Sequence, residues 1–581
     1  MILDARNDVQ DGTELFFDLC IVGSGPAGIT LALELAPLGI RICLLEAGGE
    51  RFSKKSQEFF CGKVTGTQAT EHLHSYRYRQ FGGTSTAWGG RCLPFDPIDF
   101  EARDYIPDSG WPISFDTLVP YYVRALEMCQ AGPMEYAAPT VLPGQPAEMI
   151  AGMPDGDVIS SNIERWSPPT NFGKRYRAAL HESKTLSIVL NAAGVALDLD
   201  PEHKKIVSLT ARAGSKTFTV KAKSFVLAAG GIEVPRLLLA SDRQIAGGIG
   251  NRNDLVGRYY MTHLAGLIGT AHLDVDPATV ANQYGQDANG VYVRRRIAFS
   301  EETQQRERLP NISMQFHHSP VDDTAHGNAV LSTVFIAKHI RSIRRGIAPG
   351  FGISVDDTAK ETLALWLRHF KNIVTDLPGF IGFVPRFIRR RYLARRRIPS
   401  VILPAKNSVF PIHFHAEQSP NRESRVQLAN SRDEYGVPRV RLDFHVSNSD
   451  IEGIHRAHTL LDKHFRRYKI GHVHFCDNDP LDGIRRATRA INGHFIGTTR
   501  MSADPQKGVV DPDCKVFGID NLYIASSSVF PTSSHANPTL TIVALAIRLA
   551  DHLRSKKWCS RLTSLMFPLS VIQQLSFLEQ W

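Results

Sequence analysis

Between Phe17 and Glu46 the chain runs strand, glycine turn, helix, strand, acid, and few folds accommodate that order. The apolar run Phe17-Asp-Leu-Cys-Ile-Val22 leads into Gly23-Ser-Gly25-Pro-Ala-Gly28 and then into Ile-Thr-Leu-Ala-Leu-Glu-Leu-Ala, whose apolar residues recur at helical spacing. A second apolar run, Ile40-Arg-Ile-Cys-Leu-Leu45, stops at Glu46, about 20 residues past the turn. In such a turn the first glycine allows the tight bend, the second admits a pyrophosphate against bare backbone, and the third lets the helix approach the sheet. The helix N-terminus then faces the phosphates. An acid at Glu46 would accept a ribose 2′-hydroxyl and disfavour a 2′-phosphate. Gly23, Gly25, Gly28 and Glu46 are therefore expected to hold a dinucleotide.

The following segment favours a long, flat dinucleotide, FAD, over NAD. His74-Ser-Tyr-Arg-Tyr-Arg-Gln-Phe81 runs into Gly82-Gly-Thr-Ser-Thr-Ala-Trp-Gly-Gly-Arg91, where small residues let backbone amides approach phosphate or flavin oxygens. Trp88 and Arg91 can cover an edge or neutralise charge, and Gly83 and Thr84 join the expected contacts. Phe225-Val-Leu-Ala-Ala-Gly-Gly reads as another buried strand that returns to the sheet, followed by a helical run from Val234 to Ala240.

Near the other end, Ile491-Asn-Gly-His-Phe-Ile-Gly sets His494 among small residues, and Ser534-His-Ala-Asn-Pro-Thr sets Asn537 ahead of a helix. Hydride transfer from a carbinol carbon to flavin N5 requires the hydroxyl proton to leave at about the same time, and neutral imidazole accepts it near neutral pH. His494 is the expected base. A neutral amide at Asn537 can bind the same oxygen without competing for the proton. Asn537-Pro538 also reads as a helix start in which Asn caps the free amides.

Five ordered segments carry a resemblance: Gly23–Gly28 with Glu46-Ala-Gly; Gly82-Gly-Thr-Ser-Thr-Ala-Trp88; Ser109-Gly-Trp-Pro-Ile-Ser114 with Pro120-Tyr-Tyr122; Phe225–Arg236; and His494–Leu545. Together they resemble the glucose-methanol-choline (GMC) family of FAD oxidoreductases, with Gly82–Trp88 most like the pyranose-oxidase branch. The resemblance implies an α/β fold, a Rossmann-like FAD-binding domain with an α+β substrate domain built on an antiparallel sheet. It implies FAD-binding segments at 15–260 and 476–555, a mainly substrate-binding segment at 261–475, and a tail at 556–581. Where that branch can attach FAD through His, this chain has Ala87, which implies non-covalent FAD. Val195 stands where the family contacts adenine through backbone, and Ser526 where many relatives carry Asp toward the cofactor. Pro538 opens the helix that faces the flavin pyrimidine, and His535 replaces a small residue beside the substrate pocket.

The 581 residues, 43% hydrophobic and 22% charged, describe an ordinary folded protein, and no stretch is apolar enough to span a bilayer. The N-terminus lacks a secretory pattern, so a cytoplasmic location is expected, with peripheral membrane contact as the alternative. Eight dispersed cysteines suggest reduced thiols, with Cys20 and Cys43 buried. His413 and His415 share one face of a strand-like run without an evident third ligand, and His263 reads as ordinary packing, so no metal is expected. The net charge of +9 concentrates in Arg386–Arg397, within a basic insert near 355–397 where apolar and basic residues alternate at helical spacing. That insert suits a membrane surface, a quinone-linked acceptor, an acidic partner, a solvated lid or an oligomer contact. Nucleic acid has only charge in its favour. The expected reaction is oxidation of an alcohol or sugar CH–OH to aldehyde or ketone, with oxygen, a quinone or a protein as acceptor. The rivals are a flavin-containing lyase using His494 as acid/base and a non-catalytic flavoprotein anchoring a complex.

Overall fold

Leu19–Val22 and Ile42–Leu45 are almost wholly apolar because they are interior strands covered on both faces. The computed structural model describes residues 1–66, 73–339, 363–403, 406–475, 477–491 and 493–563. Strands Ile2–Asp4, Leu186–Leu190, Ile42–Leu45, Glu14–Val22 and Lys216–Leu227 lie side by side in parallel, and Leu522–Ile524 pairs with the last of these. Ile206–Ala213 and Ala193–Leu199 extend the sheet as antiparallel strands. Helix Pro26–Leu35 carries proline in its first turn, where the missing N–H costs nothing. A Cβ on Gly28 would sit 1.9 Å from the Gly23 carbonyl oxygen, so only glycine lets this helix lie so close to the turn. Gly23 has φ +107°, and a Cβ there would meet the Ala228 carbonyl at 2.7 Å. Cys20 and Cys43 face each other in register, buried and unbridged.

A second, antiparallel sheet orders Ile312–Phe316, Val409–Ala416, Leu264–Leu273 and Gly471–Phe475, with Arg489–Ala490 also on Leu264–Leu273. Its core includes Leu264, Met314, Phe414 and Phe465 and is distinct from the larger core around the parallel sheet. The molecule thus joins a Rossmann-like domain with a parallel sheet to a second domain built on an antiparallel sheet. Arg425–Arg432 and Pro438–Phe444 form an antiparallel hairpin, and Pro438–Phe444 also pairs in parallel with Gly62–Gly66. A small sheet of Arg91–Cys92, Ile163–Trp166, Tyr292–Arg295 and Gly285–Gln286 spans the two halves.

The basic insert forms two successive helices, Leu363–Thr375 and Leu377–Ile388, packed on helix Ala329–His339 through Trp366, Phe380 and Phe383. The part of the expected insert before residue 363 lies outside the described residues. The last helix, Thr539–Thr563, continues past the expected tail boundary at 556. No helix among the described residues is long and apolar enough to cross a membrane.

Candidate active site

A cleft runs along the carboxyl ends of the parallel strands. Of the residues singled out from sequence and resemblance, Gly23, Gly25, Glu46, Gly83, Thr84, Trp88, Val195, Ser526 and Pro538 line it. Gly28 does not, since its job is helix packing. The donor set fits a long dinucleotide. A Cβ on Gly25 or Gly230 would project into open space, so bare backbone faces the cleft at two places. Gly25 also opens helix Pro26–Leu35, whose free amides point there. The buried Glu46 carboxylate accepts from Ser24 N–H (3.0 Å), Ser24 Oγ (2.6 Å) and Gly48 N–H (2.7 Å), which leaves a lone-pair site for a ribose hydroxyl. Burial raises its pKa, and these hydrogen bonds oppose the rise.

Val195 sits where the strand pairing slips, Thr210 facing Ala196 and Ala211 facing Gly194. A bulged residue leaves its backbone groups outside the ladder and free for a ligand. Trp88 is held by its indole N–H on the Thr170 carbonyl at 3.0 Å, and Ser526 Oγ donates to Ser528 Oγ at 2.7 Å. One wall went unread in the sequence: Arg77 and Arg236 grip Glu233 at 2.9 and 3.1 Å, and Arg236 also holds Asp433 at 2.6 Å. Glu233 and Arg236 are one helical turn apart, but Arg77 and Asp433 come from distant parts of the chain, so no local spacing announces the whole group.

His494 and Asn537 do come together, with Asn537 Nδ2 3.1 Å from His494 Nε2. Asn537 is not the helix cap expected from its position. Its Oδ1 accepts from Arg91 Nη1 at 3.0 Å, the helix begins at Thr539, and Ile542 N–H donates to the Pro538 carbonyl. Because Arg91 can only donate, the amide oxygen must face it and the NH₂ must face His494.

The other side of His494 is set the same way. His263 Nε2 lies 2.9 Å from the Ser533 carbonyl, an acceptor, so that nitrogen carries the proton and Nδ1 is bare. His263 Nδ1 and His494 Nδ1 are 2.7 Å apart, so His494 must carry its proton on Nδ1. Its Nε2 is then a lone pair. Burial, with Arg91 nearby, pulls the His494 pKa down to about 3, and burial beside His494 pulls His263 well below the usual range. Arg91 is anchored by the fully buried Glu164, which Gln315 also holds, and by Ser313 Oγ at 3.4 Å.

His415 adds a third imidazole, and the ligand atoms of His263, His415 and His494 lie within 4.8 Å of one another. The sequence reading paired His415 with His413 instead, because the third ring comes from elsewhere in the fold. The His263–His494 nitrogens share a proton at 2.7 Å, closer than about 3.3 Å for two nitrogens of a zinc tetrahedron. His535 is fully buried and turns to Arg296 and to Asp96, 3.2 Å away, while its carbonyl accepts from His415. It buttresses the site from behind. Next to it, burial, with Glu417 and Asp96 close by, pushes the Asp99 carboxyl up to about 8.

The chain matches family models described as GMC oxidoreductase over residues 420–546 and as FAD binding domain over residues 17–59. It is 23% identical to 6'''-hydroxyparomomycin C oxidase of Streptomyces lividus, over 95% of each chain. It is also 23% identical to the fructose dehydrogenase large subunit of Gluconobacter japonicus, over 92% of this chain and 97% of that one. In structure it is similar to an FAD-dependent oxidoreductase from Chaetomium thermophilum, with TM-score 0.53 and 14% identity over 93% and 99% of the two chains.

Proposed function

This chain belongs to the GMC oxidoreductase family, and on that premise we propose that it oxidises a CH–OH carbon of an alcohol or sugar to the carbonyl, with His494 as the base and non-covalently held FAD as the oxidant. The relatives include oxidases and dehydrogenases, so the assignment is to the family and not to one branch. The observation that supports the base is the run of hydrogen bonds from the Ser533 carbonyl through His263, His494 and Asn537 to Arg91, which leaves the lone pair of His494 on Nε2.

Bound FAD supplies the acceptor for the hydride. The residues supply the rest. His494 Nε2 takes the hydroxyl proton as the C–H bond breaks, and Asn537 Nδ2, held by Arg91, donates to the same oxygen. His494 is a neutral imidazole at ordinary pH because burial, with Arg91 nearby, pulls its pKa down to about 3. When the proton arrives, the imidazolium is formed 2.7 Å from the bare-acceptor side of His263, which stabilises it. Gly23, Gly25, Glu46, Gly83, Thr84, Trp88, Val195, Ser526 and Pro538 are the cofactor contacts in this reading. Ala87 offers no nucleophile for a covalent link.

The test is anaerobic addition of primary alcohols, secondary alcohols and sugars to the purified yellow protein. Bleaching of the visible flavin band by one class, with release of the matching carbonyl, is expected. Turnover of a substrate with the flavin remaining oxidised would overturn the assignment in favour of a lyase. Acid precipitation should leave the flavin in the supernatant; yellow colour in the pellet would refute the non-covalent attachment.

A further inference from the structure

The two helices of the basic insert are apolar on two faces, where a surface helix ordinarily has one. Their inner face packs on helix Ala329–His339. Their outer face carries Leu363, Leu367, Phe370 and Val374, which are 77%, 59%, 61% and 59% exposed, and Ile381 and Ile388 on the second helix. Steps of four, three and four residues stack the first four side chains into one stripe. Nine of the eighteen exposed large hydrophobics among the described residues fall between Leu363 and Leu393, so this is a concentrated patch and not scatter.

Charge says what covers it. Between residues 363 and 397 the sequence has nine Lys and Arg against one acid, Asp376, a local charge of +8 that nearly equals the +9 of the whole chain. The Asp376 carboxylate is already taken by Lys406 at 2.6 Å. Arg386, Arg389, Arg390, Arg395 and Arg397 are exposed. A second copy meeting this face would bring a second +8 against the first. Anionic phospholipid matches both properties, since acyl chains take an aliphatic and aromatic stripe without needing shape complementarity and headgroups take the arginines beside it.

We propose that this helix pair lies flat in the headgroup region of an anionic lipid bilayer and holds the protein at the membrane surface without crossing it. The end of the insert is tied to the body, with Arg396 donating to the Gln130 carbonyl at 2.9 Å and Ile398 packed with Trp166 and Tyr292. Those strands also carry Glu164, the anchor of Arg91. Docking therefore sets the substrate side of the molecule close to the bilayer.

The test uses the full-length, FAD-loaded protein and sedimentation with phosphatidylcholine vesicles, with or without about one third phosphatidylglycerol. Binding at least about tenfold stronger to the anionic vesicles is expected, weakening as salt rises from about 0.05 to about 0.5 M. The triple variant Leu367→Ser, Phe370→Ser, Ile381→Ser removes only outward side chains, so it should keep its melting temperature and flavin content while losing most vesicle binding. Arg389→Gln with Arg390→Gln should weaken binding to anionic vesicles specifically. Failure of the parent protein to sediment with anionic vesicles would sink the proposal. So would undiminished binding by the triple variant, which would make the contact plain charge attraction. Self-association in lipid-free buffer that the triple variant abolishes would assign the face to a second copy instead, and vesicle-independent capture of an acidic protein would assign it to that partner. Flavin reduction is not part of the readout, so the result stands apart from the proposed reaction.

Discussion

Replacing His263 by Phe tests the hydrogen-bond chain at a residue that holds the base from behind. The ring fills similar space but offers no acceptor, so the Nδ1 proton of His494 loses the partner it has at 2.7 Å. Leaving one buried donor unpaired costs about 1–3 kcal/mol. His494 is then pushed toward the tautomer with its proton on Nε2, which can no longer accept from substrate, although the Asn537 NH₂ facing Nε2 opposes that shift. The productive tautomer becomes scarcer by at most the same free energy, which lowers the rate of flavin reduction by up to about 150-fold at roughly 1.4 kcal/mol per decade. His263→Asn places an amide oxygen near the lost nitrogen and should recover part of the loss, though the contact to the Ser533 carbonyl is gone. The assay is anaerobic rapid mixing of the FAD-loaded variants with saturating substrate, following flavin bleaching. A positioning role predicts that Phe is slower than Asn while substrate affinity stays near the parent's. Reduction by the Phe variant within about twofold of the parent, or equal losses in Phe and Asn, would refute the tautomer argument in favour of packing alone.

Four further outcomes follow from the same structure. His494→Ala should bind FAD normally yet reduce it about 10²- to 10⁴-fold more slowly, measured by flavin content and rapid mixing; retention of parent activity would remove His494 from the chemistry. Gly25→Val projects into the cleft and should fold normally but lose FAD, whereas Gly28→Ala drives a methyl group to 1.9 Å from the Gly23 carbonyl and should lower the melting temperature itself. His494, His413, His458 and His535 have folded-state pKa values pulled down by burial to about 3, 4, 4 and 4, so the unfolded chain binds their protons first. Stability is therefore complete above about pH 6.5 and falls as pH drops toward 4, and a melting temperature unchanged between pH 7 and about pH 4.5 would contradict this. Arg91→Met leaves the buried Glu164 carboxylate without its cation and should cost about 3–5 kcal/mol by chemical denaturation, an effect that Glu164→Gln in the same chain should partly relieve.

How much of this was legible before folding differs from one part of the protein to another. The strand–turn–helix at Phe17–Leu35 and the return strand ending at Leu227 are written in local periodicity and glycine placement, and each forms as read. The sequence alone also singled out His494 and Asn537, since an unusual residue beside small neighbours and a helix start are local signals. It assigned Asn537 to a cap because propensity knows only the helix that follows, while in the fold the amide is claimed by Arg91, 446 positions away in the chain. His263 read as ordinary packing for the same reason. Its partner His494 lies 231 residues off, and nothing within either segment records that the antiparallel sheet brings them within hydrogen-bonding distance.

The sequence by itself determined the dinucleotide turn, the charge-rich insert and the identity of the groups that can move a proton, because those depend on backbone conformational limits and on side-chain chemistry. Only the tertiary structure decided which nitrogen of His494 is free, that Glu233 neutralises Arg77, Glu164 neutralises Arg91 and Asp433 joins Arg236, and which face of the insert is left uncovered. Each of these is a choice among partners distant in the chain, made by burial: a polar group shut away from water must take whichever donor or acceptor the fold sets beside it.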